Sequence, residues 1–179
     1  MDKLNFIPFP IIKSERLILR QATIAHKEEM YFLKSNDDVL KFLDNPKHKS
    51  MDDTEKFIIN ILNGIKNNVW IYWVISLKTN NKFIGTICLW NIYEDKSSAE
   101  IGFELMPSYQ GIGLMHEALN EVIKYGFQNL KFNNITAYTH KDNIKSINLL
   151  KRNGFLGEIG ENECSNNYKI FRKINNISQ

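Results

Sequence analysis

Residues 99–119 read A-E-I-G-F-E-L-M-P-S-Y-Q-G-I-G-L-M-H-E-A-L. The first half is a strand that starts near Ser97 and runs to Met106, where Pro107-Ser108-Tyr109 stops it. The second half opens a helix whose buried stripe is Leu114, Ala118, Leu119, Val122, Ile123, Phe127 and Leu130. Between them, Gln110-Gly111-Ile112-Gly113 forms a tight turn at the helix N-terminus. Unpaired N–H groups and the helix dipole make such a turn suited to a phosphate or pyrophosphate. Gly111 and Gly113 let the backbone approach an anion closely. The stretch is not a P-loop, because no Gly-Lys-Ser/Thr follows, and it is not G-x-G-x-x-G, because position 116 is His. Taken alone, a single G-x-G reads as readily as a plain turn.

The flanking segments place this unit in a sheet. Upstream, Val69–Leu77 and Lys82–Ile92 are aromatic and β-branched and join through the turn residues Lys78–Asn81, giving an antiparallel hairpin. Residues 97–106 add the next strand of that meander. Further upstream, Glu15–Gln21 alternates as a strand near one sheet edge. Ala25–Ser35 is helical, Asp37–Leu43 is a short helix or turn, and Asn45-Pro46 ends it. Ser50 and Asp53 form a capping arrangement before a helix carrying Phe57, Ile58, Ile61, Leu62 and Ile65. Downstream, Ile135–His140 is a strand. A helix N-capped by Asp142 runs through Arg152 and closes at Asn153-Gly154. Phe155–Ile159 and Tyr168–Arg172 are the last strands. The expected fold is a single α+β domain with about seven strands in one mostly antiparallel sheet flanked by helices. The strand–helix–strand step across 97–140 requires a parallel pair.

Composition excludes several classes. The 179 residues are 43% hydrophobic and 24% charged, which argues against a disordered chain. A net charge of +3 without a basic stripe carrying aromatics argues against nucleic-acid binding and allows a small anionic ligand. Cys88 and Cys164 have no CxxC spacing, and His26, His48, His116 and His140 have no metal-ligand spacing, so no metal site is expected. Cys88 reads as a small buried hydrophobe rather than an activated thiolate. No apolar run reaches signal-peptide or membrane-span length, so a cytoplasmic protein without a membrane partner is expected.

The order of motifs resembles the GNAT superfamily of acetyl-CoA-dependent N-acetyltransferases, and within it the RimJ/RimL-like branch. The family motif Gln/Arg-x-x-Gly-x-Gly/Ala is matched by Gln110 and Gly113, with Met115 departing from the small final residue. E-R-L-I-L-R at 15–20 is similar to the branch's opening strand, and D-N-I-K-S-I-N-L-L-K-R-N-G-F at 142–155 to its Asn-x-x-Ser-x-x-Leu…Gly-Phe motif. The resemblance covers about residues 14–173.

It implies that the fourth and fifth strands splay apart, with pantetheine pairing to the backbone of Leu105 and Met106. The pyrophosphate would lie over residues 111–116: Gly111, Ile112, Gly113, Leu114, Met115 and His116. Gln110, Asn143 and Ser146 would also face acetyl-CoA, and one of Lys141, Lys145 or Lys151 its 3′-phosphate. The implied chemistry is direct attack of a primary amine, from a protein N-terminus or a small molecule, on the thioester in a ternary complex. Such amines are mostly protonated at neutral pH, so a base is needed. Glu100 and Glu104 share one strand face and are the candidate bases; a solvated or salt-bridged carboxylate is the plainer role for either. A backbone N–H on the splayed strand would serve the oxyanion. Ser146 is the candidate proton donor to the departing thiolate, and Asn143 could simply cap its helix. Tyr138 lines the acceptor pocket or packs. The absence of long acidic stretches favours a peptide or modest amine over a polycation. An acyl-CoA-binding or regulatory module on the same fold is the alternative. Monomer and homodimer are both open.

Overall fold

The computed structural model describes residues 4–93, 97–157 and 167–176. The strands are β1 (Ile12–Lys13), β2 (Leu17–Gln21), β3 (Ile71–Leu77), β4 (Phe83–Trp90), β5 (Ser98–Leu105), β6 (Asn134–His140), β7 (Leu156–Gly157) and β8 (Tyr168–Ile174). The helices are α1 (Lys27–Ser35), α2 (Asp37–Leu40), α3 (Met51–Lys66), α4 (Leu114–Gln128) and α5 (Ile144–Arg152). The strands form one eight-stranded sheet in the order β1-β2-β3-β4-β5-β6-β8-β7. All neighbours are antiparallel except β5 and β6.

The α+β architecture is the expected one, with one strand more than the seven read from sequence. The extra strand is the two-residue β1, which pairs with Ile18 and Leu19 just after the prolines at 8 and 10. A strand that short has no periodicity to read. Of the expected strand at 155–159, residues 156–157 are β7 and Phe155 is buried just before it; residues 158–159, and Cys164, lie outside the described residues.

The α1–α3 side of the sheet is set by the register. Tyr72, Cys88 and Gly102 stand in one cross-strand row, and Val74, Thr86 and Glu104 in the next. Cross-strand partners share a face. Phe57 of α3 meets the Tyr72 ring edge-on at 6.0 Å, and Lys34 of α1 reaches Glu104. On the other face, Tyr125 of α4 meets Trp73 edge-on at 5.6 Å. Gly126 lets α4 lie close to the sheet, since a Cβ there would stand 2.9 Å from Ile135 and 3.6 Å from Leu89. The long helices start as the sequence directs. Ser50 accepts from the Asp53 N–H while the Asp53 carboxylate accepts from the Ser50 N–H, a complete capping box for α3. At the far end of α3, the Trp70 indole covers Gly64 so closely that a Cβ on Gly64 would lie inside the ring, and Trp70 Nε1 donates to the Ile61 carbonyl at 3.1 Å. For α5 the capping residue is Asn143 rather than the expected Asp142. Its Oδ1 accepts from the Ser146 N–H at 3.1 Å.

Candidate active site

The parallel ladder between β5 and β6 consists of Ser98↔Asn134, Ala99↔Ile135 and Glu100↔Thr136. It stops there, although β5 continues to Leu105 and β6 to His140. The strands therefore part beyond Glu100, as expected for the fourth and fifth strands of the sequence reading. Met106 donates its N–H to the Ile84 carbonyl at 2.8 Å and accepts from the Tyr109 N–H at 2.9 Å. Backbone groups of an antiparallel strand alternate in direction. Those of Glu104 and Gly102 thus turn to β4 like those of Met106, and those of Phe103 and Leu105 turn toward the opening. The Leu105 carbonyl is taken by Gln110 Nε2 at 3.0 Å. The pairing groups that face the gap are consequently the Leu105 N–H and both backbone groups of Phe103. Met106, expected to pair there, has both backbone groups engaged, and Phe103, not named from the sequence, presents its backbone to the gap instead.

At the C-terminal end of β5 the chain makes one 3-10 turn, Pro107–Tyr109, and enters α4 through Gln110–Gly113. Gly111 and Gly113 have φ of +80° and +82°. Only glycine adopts this region without strain. Gly113 is the N-cap residue of α4, and Gly111, Ile112 and Gly113 are exposed. The first N–H groups of α4 have no helical partners. Leu114 and Met115 point the other way, into the core, with Met115 only 7% exposed. The departure from a small residue at 115 thus lies off the exposed glycine turn. His116 is half-buried. Its Nε2 meets Asn120 at 3.3 Å and its Nδ1 is buried without a partner among the described residues. Across the opening, Lys145 of α5 reaches Gln110 Oε1 at 3.3 Å, which places this lysine, among the three read from sequence, beside the turn. Asn143 is spent on its cap, and Ser146 follows it half-buried on the same helix end. A diphosphate-bearing thioester fits this set: exposed glycine N–H groups, a helix N-terminus, a nearby lysine and unpaired strand backbone.

The two candidate carboxylates differ sharply. Glu104 is tied to Lys34 at 2.7 Å, with side chains 8% and 7% exposed. The lysine also stands 4.8 Å over the Phe57 ring. Burial works against the charge on Lys34, but Tyr72 and the Glu104 carboxylate beside it outweigh that and hold its pKa above the ordinary value. Glu104 Oε2 is buried without a donor among the described residues. Glu100 is half-buried and accepts one bond from Asn91 Nδ2 at 2.6 Å. It sits where the strands part. Nothing in the sequence reading anticipated Lys34, yet it follows Met30 by four residues on the buried stripe of α1, an unusual place for a lysine.

Cys88 shares this face. Burial pushes its thiol up to about 12, in keeping with an inert hydrophobe and against a nucleophile. Tyr138 is 45% exposed. His140 is covered instead: Phe42 lies over it at 5.5 Å and Tyr168 meets it edge-on at 5.6 Å. The segment after α2 thereby reaches from the helical layer to β6 and β8. Among the described residues no cluster of His, Cys, Asp and Glu could hold a metal, and no helix is long and apolar enough to cross a membrane.

Comparison with known proteins agrees with this geometry. Residues 16–156 match the family model described as "Acetyltransferase (GNAT) domain". The chain is 31% identical over 150 residues to the uncharacterized N-acetyltransferase YoaA of Bacillus subtilis, covering 84% of this chain and 85% of that protein. RimL, the ribosomal L7/L12 α-N-protein acetyltransferase solved with coenzyme A, superposes with a TM-score of 0.81 at 23% identity, covering 92% of this chain and 98% of that one. Spermidine N-acetyltransferase from Vibrio cholerae, solved with CoA and spermine, superposes at 0.76 and 22% identity, covering 89% and 95%. With the family model spanning most of its length, this chain belongs to the GNAT acetyltransferases and is an acetyl-CoA-dependent N-acetyltransferase.

Proposed function

We propose that this enzyme acetylates a primary amine carrying a single charge near the reacting nitrogen, a peptide N-terminus or a small monoamine, with Glu100 as the base. The observation that carries the reading is the parting of β5 from β6 at Glu100. One acid there has no ion pair among the described residues, while Glu104 is neutralised by Lys34. A polyamine needs several uncompensated carboxylates, and this strand face offers one.

When bound, acetyl-CoA supplies the thioester carbonyl that the amine attacks. Residues 111–116 and Gln110 hold its diphosphate, with Lys145 adding positive charge. Phe103 and Leu105 present strand backbone to its pantetheine arm. Glu100 takes the proton of the acceptor ammonium, directly or through water. The hydroxyl of Ser146 gives a proton to the departing sulfur. RimL is a ribosomal L7/L12 α-N-protein acetyltransferase, which is in keeping with a peptide acceptor.

Calorimetric titration with CoA, followed by an acceptor panel of N-terminal peptides, monoamines and polyamines, tests this. Glu100→Gln is expected to lower kcat about a hundredfold, the usual scale of general-base catalysis, with CoA affinity unchanged. Unchanged kcat removes Glu100 from the mechanism. Preferred turnover of spermidine overturns the acceptor class. Tight CoA binding without turnover of any amine points instead to an acyl-CoA-binding module.

A further inference from the structure

The densest polar cluster outside the acceptor side joins the start of β2 to the first turn of α4. Its two principal residues are 101 positions apart in sequence. Glu117 Oε1 accepts from the Arg16 backbone N–H and from Ser14 Oγ, both at 2.7 Å. Glu117 Oε2 accepts from Arg16 Nε at 2.6 Å. The same guanidinium donates through Nη1 to the Ile112 carbonyl at 3.1 Å, and its Nη2 lies 3.4 Å from where a Cβ on Gly113 would stand. One side chain therefore holds both the first turn of α4 and the glycine turn before it.

Two consequences follow from elementary geometry and electrostatics. In a trans peptide the C=O and the next N–H point in opposite directions. With its Ile112 carbonyl drawn to Arg16, the Ile112–Gly113 peptide turns the Gly113 N–H away from Arg16, toward the exposed side of the turn. Second, burial raises the pKa of Glu117, but the bonds from the Arg16 backbone, Ser14 and the guanidinium outweigh it and keep the group an anion. An anion in the first turn favours an empty helix N-terminus but repels a phosphate arriving there. Arg16 cancels that charge.

We propose that Arg16 is a positioning residue for the diphosphate of acetyl-CoA: it aims the Gly113 N–H and neutralises Glu117, so that a helix start carrying its own carboxylate still accepts an anion. This rests on the reading that residues 110–116 hold the cofactor. Its test uses Arg16→Met, Arg16→Lys and the double variant Arg16→Met/Glu117→Gln, each first checked for an unchanged far-ultraviolet spectrum. Amide hydrogen exchange is measured without ligand, CoA affinity by calorimetry, and kcat/KM with acetyl-CoA and with S-acetylpantetheine, which lacks the diphosphate. In Arg16→Met, exchange is expected to rise at residues 111–117. The CoA Kd should rise about tenfold, the scale of a lost charge-assisted contact. The ratio of kcat/KM for acetyl-CoA over S-acetylpantetheine should fall by the same factor. Arg16→Lys should fall between, and Glu117→Gln in the Met background should recover part of the loss. An unchanged CoA Kd, or equal losses with both donors, overturns the role of Arg16. Failure of the unsubstituted protein to bind CoA overturns the cofactor reading itself, and the inference with it.

Discussion

The two sides of the opening between β5 and β6 are built from different materials. The proposed cofactor side is mostly backbone: a strand edge, two glycines with positive φ and a helix N-terminus, contiguous in sequence from Phe103 to His116. The proposed acceptor side is mostly side chains brought from separate segments: Lys34 from α1, Phe57 from α3, Tyr72 from β3, and Glu100 and Glu104 from β5. Backbone sites tolerate side-chain change and bind what the family shares. Side-chain sites change with single substitutions.

The most forceful way to break the acceptor side is to unpair its buried charges. Lys34→Met leaves Glu104 as an uncompensated buried carboxylate and should cost about 3–5 kcal/mol of stability, read from urea unfolding. Replacing both partners, as Lys34→Met/Glu104→Leu, should return most of that, since the pair itself offsets its own desolvation poorly. If the double variant is no better than the single one, the pair is not the local determinant of stability.

The matching blow to the cofactor side is Gly113→Asp. It combines a backbone strain of about 1–3 kcal/mol at positive φ with a like charge on the anion site. CoA affinity should fall at least about a hundredfold by calorimetry, while unfolding shifts far less than in Lys34→Met. Ser146→Ala sharpens the comparison from the far wall: if its hydroxyl serves the departing sulfur, kcat drops about tenfold with the CoA Kd unmoved, a modest share of acid–base catalysis.

The smallest expected effect is one of pH. Burial lowers the pKa of His48, with Lys34 adding to it, and burial likewise lowers His26. A histidine held below its ordinary value binds its proton more weakly when folded. Stability is therefore complete above the unfolded value near 6.5 and is lost as pH falls from there through the folded values. The melting temperature should decline from about pH 7 to pH 5, over the histidine range. His48→Gln should flatten part of that slope; an unaltered slope would assign the decline to His26 and the carboxylates.

What could be read from the sequence follows the same division. Glycines, a proline stop and a hydrophobic stripe are local signals, so the turn at 110–113 and α4 were legible. So was the parallel step that separates β5 from β6. The pairing direction of Met106 was not, because it depends on which phase of the strand meets β4. The same holds for β1, too short to carry a period, and for the choice between Asp142 and Asn143 as the cap of α5, both of which the sequence offered. Lys34 and Arg16 lay furthest from view. Each acquires its partner only when segments 70 and 101 residues apart meet.

The indole of Trp70 seated over Gly64 has an evolutionary corollary. With that ring filling the space of a side chain, the last turns of α3 are keyed to the start of β3 and can neither rotate nor slide without expelling a tryptophan. Lineages that diversify their acceptors on this scaffold must do so elsewhere: in α1, in the segment that carries Phe42 to His140, and in the first turns of α3. Change in this layer is therefore hinged at one end. A library that randomises residues 27–57 and leaves 61–70 alone is expected to vary the acceptor while keeping this end of the layer in place.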